Sequence, residues 1–321
     1  MLKYSIKKVF SLIPILVFTT FIVFMVIHLS PGDPAIFGSC HSTPEIIHQW
    51  REIHGLNDPV LVQFANYITG IFRGDFGLSF TRNVSITDEI MQRLPYTLRL
   101  GAVALGASLA VALPIGALAA SKKNAWLDAV VKYAALIGVS IPVFGMGLLL
   151  ILIFAIRLDL LPSSRAYYWY SVALPSATLG IGMMCVMIYS IRTSILEALQ
   201  QNYTRAARAM GLSRSNVIRK HIMHNALVPI LTTFRAHLGN FFVGMIIVEI
   251  TFAWPGIGRL FIQSILSRDY PMTTGVVFMF VLFYALVNVS VGIVMGAVDP
   301  RVRETLANEK AQPLQTLPNH H

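Results

Sequence analysis

The chain has 321 residues, 55% of them hydrophobic and only 12% charged, with a mean hydropathy of +0.65. Soluble domains carry about 25% charged residues, so this composition excludes an ordinary soluble domain and places the chain among membrane proteins. The net charge of +10 suits basic residues that orient membrane helices from cytoplasmic loops; nucleic acid is not an expected partner, and Cys40 and Cys185 have neither metal-ligand spacing nor a common compartment for a disulfide.

Lys3, Lys7 and Lys8 precede an apolar run at 9–29. The run is longer than a usual signal-peptide core and lacks a small-x-small cleavage site, so it reads as a retained first membrane helix. Residues 30–97 follow as the large extramembrane segment. Helical periods over Pro44 to Ile53 and Val60 to Phe72 alternate there with Gly/Pro turns, which predicts a small folded cap. Further apolar segments lie at 98–120, 133–156, 174–191, 228–252 and 275–298. At about 1.5 Å per residue each can cross a hydrocarbon core of about 30 Å as a helix. Isolated spans in lipid must satisfy their own backbone hydrogen bonds.

The short loops decide orientation. Lys122, Lys123, Arg192, Arg205, Arg208, Arg214, Arg219, Lys220, Arg301 and Arg303 fall inside if the N-terminus is cytoplasmic, as the positive-inside rule requires. The expectation is an all-α integral membrane protein: six spans, both termini cytoplasmic, a cap outside at 30–97, a core at 98–303, and a disordered tail at 304–321.

Between the fourth and fifth spans lies a polar, basic island, about 195–228. A helix carrying Ser194, Glu197, Ala198 and Gln201 should continue through Tyr203, Ala206, Ala207 and Met210, whose three- and four-residue spacings share one side. Small side chains there admit another backbone. Gly211 can close this helix, Leu212 can fold back on it, and Ser213 can cap a second helix over 214–224. His221, Asn225 and Pro229 then lead back to the membrane.

The pattern Tyr203-x-x-Ala206-Ala207-x-Ala209-x-Gly211-Leu212-Ser213, followed by His221, Asn225 and Pro229, resembles the EAA loop of ABC importer permeases. Other motifs look like the dipeptide, oligopeptide and nickel branch of that family: Pro31-Gly32-Asp33-Pro34, Gly55-Leu56-x-Asp58-Pro59, Gly74-Asp75-Phe76-Gly77-x-Ser79, Ser140-Ile141-Pro142-x-Phe144, Trp254-Pro255-Gly256-Ile257-Gly258-Arg259, Arg268-Asp269-Tyr270-Pro271 and Asp299-Pro300-Arg301. One departure is the missing glutamate near Ala206, where Thr204-Arg205 stands. The resemblance covers about residues 1–303. It implies the type I importer permease fold in a bacterial inner membrane, with a helix near 205–215 docked on a cytosolic ATPase. Its implied partners are a second homologous permease, two ATPase subunits and an extracytoplasmic binding protein. ATP and Mg would sit on the ATPases and no cofactor on this chain. A P-loop is excluded, since no Gly-Lys dipeptide occurs.

Within the fifth span Arg235 and Glu249 are candidate functional charges. They stand 14 residues apart, about 21 Å along a helix, so they cannot pair within it. Arg235 suits a bond to a neighbouring helix or subunit. Glu249, beside Trp254, could face the vestibule and attract a cationic cargo. Met183, Met184, Met187 and Met245 suit flexible apolar filling better than a metal path, and His221 and His224 suit positioning of the island. The short connection from Arg157 to Ser171 favours nickel or a metal chelate as cargo over a di- or oligopeptide. Two other classes fit less well: an intramembrane hydrolase lacks a nucleophile–base or metal pair, and an ion-coupled secondary transporter lacks internal repeats.

Overall fold

The computed structural model describes residues 10–29, 32–38, 43–121, 125–163, 168–202 and 223–298, with the single residues 166, 204, 209 and 210. Among these the chain is helical, apart from turns and one isolated antiparallel bridge between Leu78 and Ser85. The first span is α1 (Leu12–Leu29). The cap follows as α2 (Pro34–Gly38), α3 (Pro44–Ile53) and α4 (Val60–Phe72). The core comprises α5 (Ile86–Ser121), α6 (Ala125–Ser140), α7 (Val143–Leu150), α8 (Ala173–Gln200), α9 (Met223–Thr251), α10 (Ile257–Leu266) and α11 (Tyr270–Val298).

α1 buries only Leu12, Leu16, Thr20 and Phe24, a four-residue stripe, of which Leu12 and Leu16 pack on Ala285 and Val289 of α11. Phe10, Phe18 and Val26 point away from the protein. A helix apolar on every side but buried on one is at home in lipid.

α8 is the centre of the bundle: 56% of its apolar window is buried, against 22–33% in the other continuous spans. Ala104, Ser108, Ala112, Gly116 and Ala120 recur every four residues along α5 and are buried. That stripe lets α8 approach closely. A Cβ added to Gly180 would lie 2.8 Å from Ser108 Oγ and 3.1 Å from the Ala104 carbonyl oxygen; one added to Gly116 would lie 2.8 Å from Ile191. The Ser108 hydroxyl donates to the carbonyls of Ala104 (2.6 Å) and Gly180 (2.9 Å). Lipid supplies little hydrophobic drive between helices, so close packing and such bonds hold the spans together.

Three elements differ from the sequence expectation. The segment at 133–156 is a broken pair rather than one straight helix: α6 and the chain from Val143 to Arg157 meet at 97°. Pro142 is extended (ψ 138°) and has no N–H for the carbonyl of Gly138, which ends the helix. Beyond α7 the chain widens into a π-helical stretch, Ile151–Arg157. Next, α5 begins at Ile86, inside the segment assigned to the cap, and runs unbroken past residue 97. Finally, the helix leaving α8 does not continue through the polar island. Gln201 turns extended (ψ 152°), and Thr204 folds back, its hydroxyl donating 2.8 Å to the Ala198 carbonyl.

Candidate functional site at the cap end of the spans

The last turn of α9 carries Glu249, whose side chain is wholly enclosed. Beyond it, Ala253 takes a left-handed conformation (φ +49°), unusual for a residue with a side chain, and the chain reverses into α10. Glu249 holds that reversal. One carboxylate oxygen accepts 2.6 Å from the Thr97 hydroxyl and the other 3.0 Å from the Arg259 amide. Thr97 Oγ1 in turn accepts 2.8 Å from the Ile257 amide. The carboxylate and the threonine thus satisfy amides at the start of α10, groups that no helical carbonyl can reach, and a negative charge suits that end of the helix dipole.

The glycines of Trp254-Pro255-Gly256-Ile257-Gly258-Arg259 follow from this arrangement. A Cβ on Gly256 would collide with the Glu249 carboxylate, and one on Gly258 would lie 2.8 Å from the backbone of Ile246. Trp254 is also wholly buried; its indole N–H donates 3.1 Å to the Tyr96 carbonyl on α5. The Arg259 guanidinium reaches back 2.9 Å to the Ala253 carbonyl. Two stretches distant in sequence, around 97 and over 249–259, are therefore pinned at one carboxylate.

A second buried carboxylate, Asp269, does the same for the cap. It precedes α11 and accepts from the Met272 amide (3.3 Å) as a helix cap. It also accepts from the Ser79 hydroxyl, the Phe80 amide (3.1 Å) and the Thr81 hydroxyl (2.9 Å). The Gly74–Ser79 and Arg268–Pro271 motifs thus meet. Phe80 packs edge-on against Trp50 of α3 and His54 just beyond its end, tying the cap to α11. At the start of the cap, the Asp33 carboxylate pairs with Arg51 and accepts from the Ala35 amide, while Tyr270 donates 3.0 Å to the Gly32 carbonyl. Between α1, α4 and α11 lies a cavity of about 220 Å³ lined by His28, His54, Gln63, Tyr67 and Tyr270. Burial pushes the Tyr67 hydroxyl well above its ordinary range, and it has no hydrogen-bond partner among the described residues.

The expected site residues fall into two groups. Glu249 and Trp254 come together, but both face the interior of this chain, so the geometry gives them a positioning role rather than a vestibule surface. Arg235 lies about 21 Å further along α9, where its Nε donates 2.5 Å to Asn288 Oδ1 of α11. Tyr203, Ala206, Ala207, Gly211, Leu212, Ser213 and His221 lie outside the described residues, as do all but the last two residues of the helix expected over 214–224. Asn225 and Pro229 belong to α9, whose Pro229 carbonyl accepts 3.1 Å from the Thr233 hydroxyl. Among the described residues no three His, Cys, Asp or Glu side chains are grouped to hold a metal ion. Sequence reasoning gave Thr97 no role. Its signal was the spacing Ile86, Ile90, Thr97, Leu100, Ala104, all buried on one face of α5.

Among the described residues, five continuous spans and one broken one, with two carboxylate-pinned reversals at the cap end, define a polytopic membrane protein. Residues 112–304 match the family of binding-protein-dependent transport system inner membrane components, and residues 1–101 match the N-terminal family of the same components. The chain belongs to this family: it is a multi-pass ABC importer permease of the peptide and nickel group. It is 37% identical over 304 residues to the glutathione transport system permease protein GsiC of Salmonella choleraesuis (strain SC-B67), covering 94% of this chain and 99% of that one. GsiC of Escherichia coli (strain K12) is 36% identical over the same length. A solved structure of the MetNI methionine ABC transporter in an inward-facing conformation shares the fold, with a TM-score of 0.54 at 18% identity over 66% of this chain and 96% of that one.

Proposed function

We propose that this chain forms half of the translocation path of an importer for short peptides, glutathione among them. The observation that carries this reading is the near full-length identity to glutathione permeases. It displaces nickel or a metal chelate as the leading cargo. That expectation rested on the short connection after Arg157, yet 304 aligned residues span 94% of this chain and 99% of a glutathione permease. Such a relative has no long insertion there either, so the loop length does not separate the cargoes.

In this reading a second homologous permease completes the path and a binding protein delivers cargo to the end bearing the cap. Two cytosolic ATPases bind ATP and Mg, and this chain hydrolyses nothing itself. The loop containing Tyr203, Ala206, Ala207, Gly211, Leu212 and Ser213, braced by His221, Asn225 and Pro229, docks on an ATPase and transmits its closure. The N-terminus and the polar tail lie on that same cytoplasmic side. The buried carboxylates suit such transmission, because reversals locked at Glu249 and Asp269 let α9, α10 and α11 move as connected bodies.

The test is ATP hydrolysis by the complex reconstituted with its binding protein, comparing glutathione, a dipeptide and a nickel chelate. Glutathione or the dipeptide should stimulate hydrolysis several-fold, and Gly211→Pro in the docking loop should abolish the stimulation. Stimulation by the nickel chelate alone would return the cargo to the metal class.

A further inference from the structure

Where the third span breaks, a cavity of about 160 Å³ opens between α6, α8 and α9. Gly138, Gly182 and Gly244 line it among mostly apolar neighbours, Val143, Leu179, Met183 and Phe241 included. Pro142 leaves the Gly138 carbonyl without the amide four residues on that a continuous helix would supply. Irregular backbone at membrane depth is tolerated where it is buried in protein or lines a polar cavity.

Two polar side chains face this cavity from α9, His237 and Asn240. Asn240 stands fourteen residues after Ala226 and eleven before Thr251, the limits of its span, so it sits near the middle of the membrane. It is exposed and His237 is half-buried, and neither has a hydrogen-bond partner among the described residues. An unpartnered amide at mid-membrane is costly against lipid. The same face of α9 carries the exposed Ala236 and Val243, too small to shield it. None of the charged residues lines the cavity.

We infer that His237 and Asn240, with the freed carbonyl of Gly138, form a hydrogen-bonding subsite for the peptide groups of cargo in transit. An asparagine amide both donates and accepts, which matches the C=O and N–H of a peptide bond. The carbonyl supplies a further acceptor. This subsite rests on the peptide-import reading and assigns it contact residues that neither the apolar pattern nor the motifs indicated.

Uptake of glutathione and of alanyl-alanine by the complex in proteoliposomes, with binding protein, tests it, alongside co-purification of the complex. Asn240→Leu and His237→Leu should assemble yet lower maximal uptake at least tenfold, and Asn240→Gln should recover most of the loss. In a background with both Cys40→Ser and Cys185→Ser, Asn240→Cys should react with a water-soluble maleimide and be protected by glutathione. Uptake within twofold of the unaltered complex in both leucine variants would overturn the inference, as would a loss that glutamine does not relieve. So would failure of Asn240→Leu to assemble, which would place this face against the second permease. Failure of the unaltered complex to import either peptide, while importing a nickel chelate, would instead sink the cargo reading on which the subsite rests.

Discussion

Around Glu249 and Asp269 the chain joins its segments through buried carboxylates that accept hydroxyl and amide hydrogens from residues far away in sequence, Thr97 to one and Ser79 to the other. Between α5 and α8 it uses the opposite device: side chains so small that the backbones nearly touch, with Ser108 bonding across. The difference follows from what each place must do. At the cap end the chain reverses, and the reversals leave amides at the starts of α10 and α11 that need acceptors. Along the spans a helix satisfies its own backbone amides, so packing distance is what remains to be set. One region is specified by polar pairing and the other by volume, and the two should fail differently.

Removing the acceptor at the cap end should have the largest effect. Glu249→Ala strands the Thr97 hydroxyl and the Arg259 amide in a closed site and should cost about 3 kcal/mol, read as a lower thermal midpoint of the detergent-purified complex. Thr97→Val added to it should cost far less than it does alone, because both act in one network. Full additivity would show that the two are not coupled.

Volume is tested next. Gly180→Ala places a methyl against Ser108 and the Ala104 carbonyl and should cost about 2 kcal/mol. Ser108→Ala should relieve part of that loss, since only the hydroxyl, not the backbone, is removed by it. No loss in Gly180→Ala would mean that α5 and α8 stand further apart than described.

Asp269→Asn keeps an acceptor but turns an amide toward donors, and should cost about 1.5 kcal/mol. Its distinguishing sign is local: added protease should cut within 77–85 sooner, while the α5–α8 contact is unchanged. Smallest of all, Asn288→Leu should cost about 1 kcal/mol by removing a single interhelical bond to Arg235. A larger fall would give that pair a role beyond joining α9 to α11.

The two regions were also unequally legible in the sequence. Hydropathy located all six apolar segments because each is long enough to average over its exceptions. The same averaging hid the break at Ser140-Ile141-Pro142, where only the proline marks the end of a helix. The start of α5 was hidden for the reverse reason: Asp88, Glu89 and Arg93 lower the hydropathy, although Ile86 and Ile90 already keep helical spacing on the buried face. In the cap, helices form over Pro44–Ile53 and Val60–Phe72 at the bounds their periodicity predicts. Glu249 could be singled out as a charge in an apolar run, but its partner lies 152 residues away and no local pattern names it. His237 and Asn240 gave no signal, because their meaning depends on a helix break in another span.

The most direct measurement of the central claim is ATP-driven uptake of labelled glutathione into proteoliposomes holding this chain, its partner permease and ATPases, with binding protein outside. Accumulation should require ATP and the binding protein, be diminished by excess dipeptide and be absent in Gly211→Pro. Accumulation of a nickel chelate under the same conditions, with glutathione and dipeptide ignored, would contradict it.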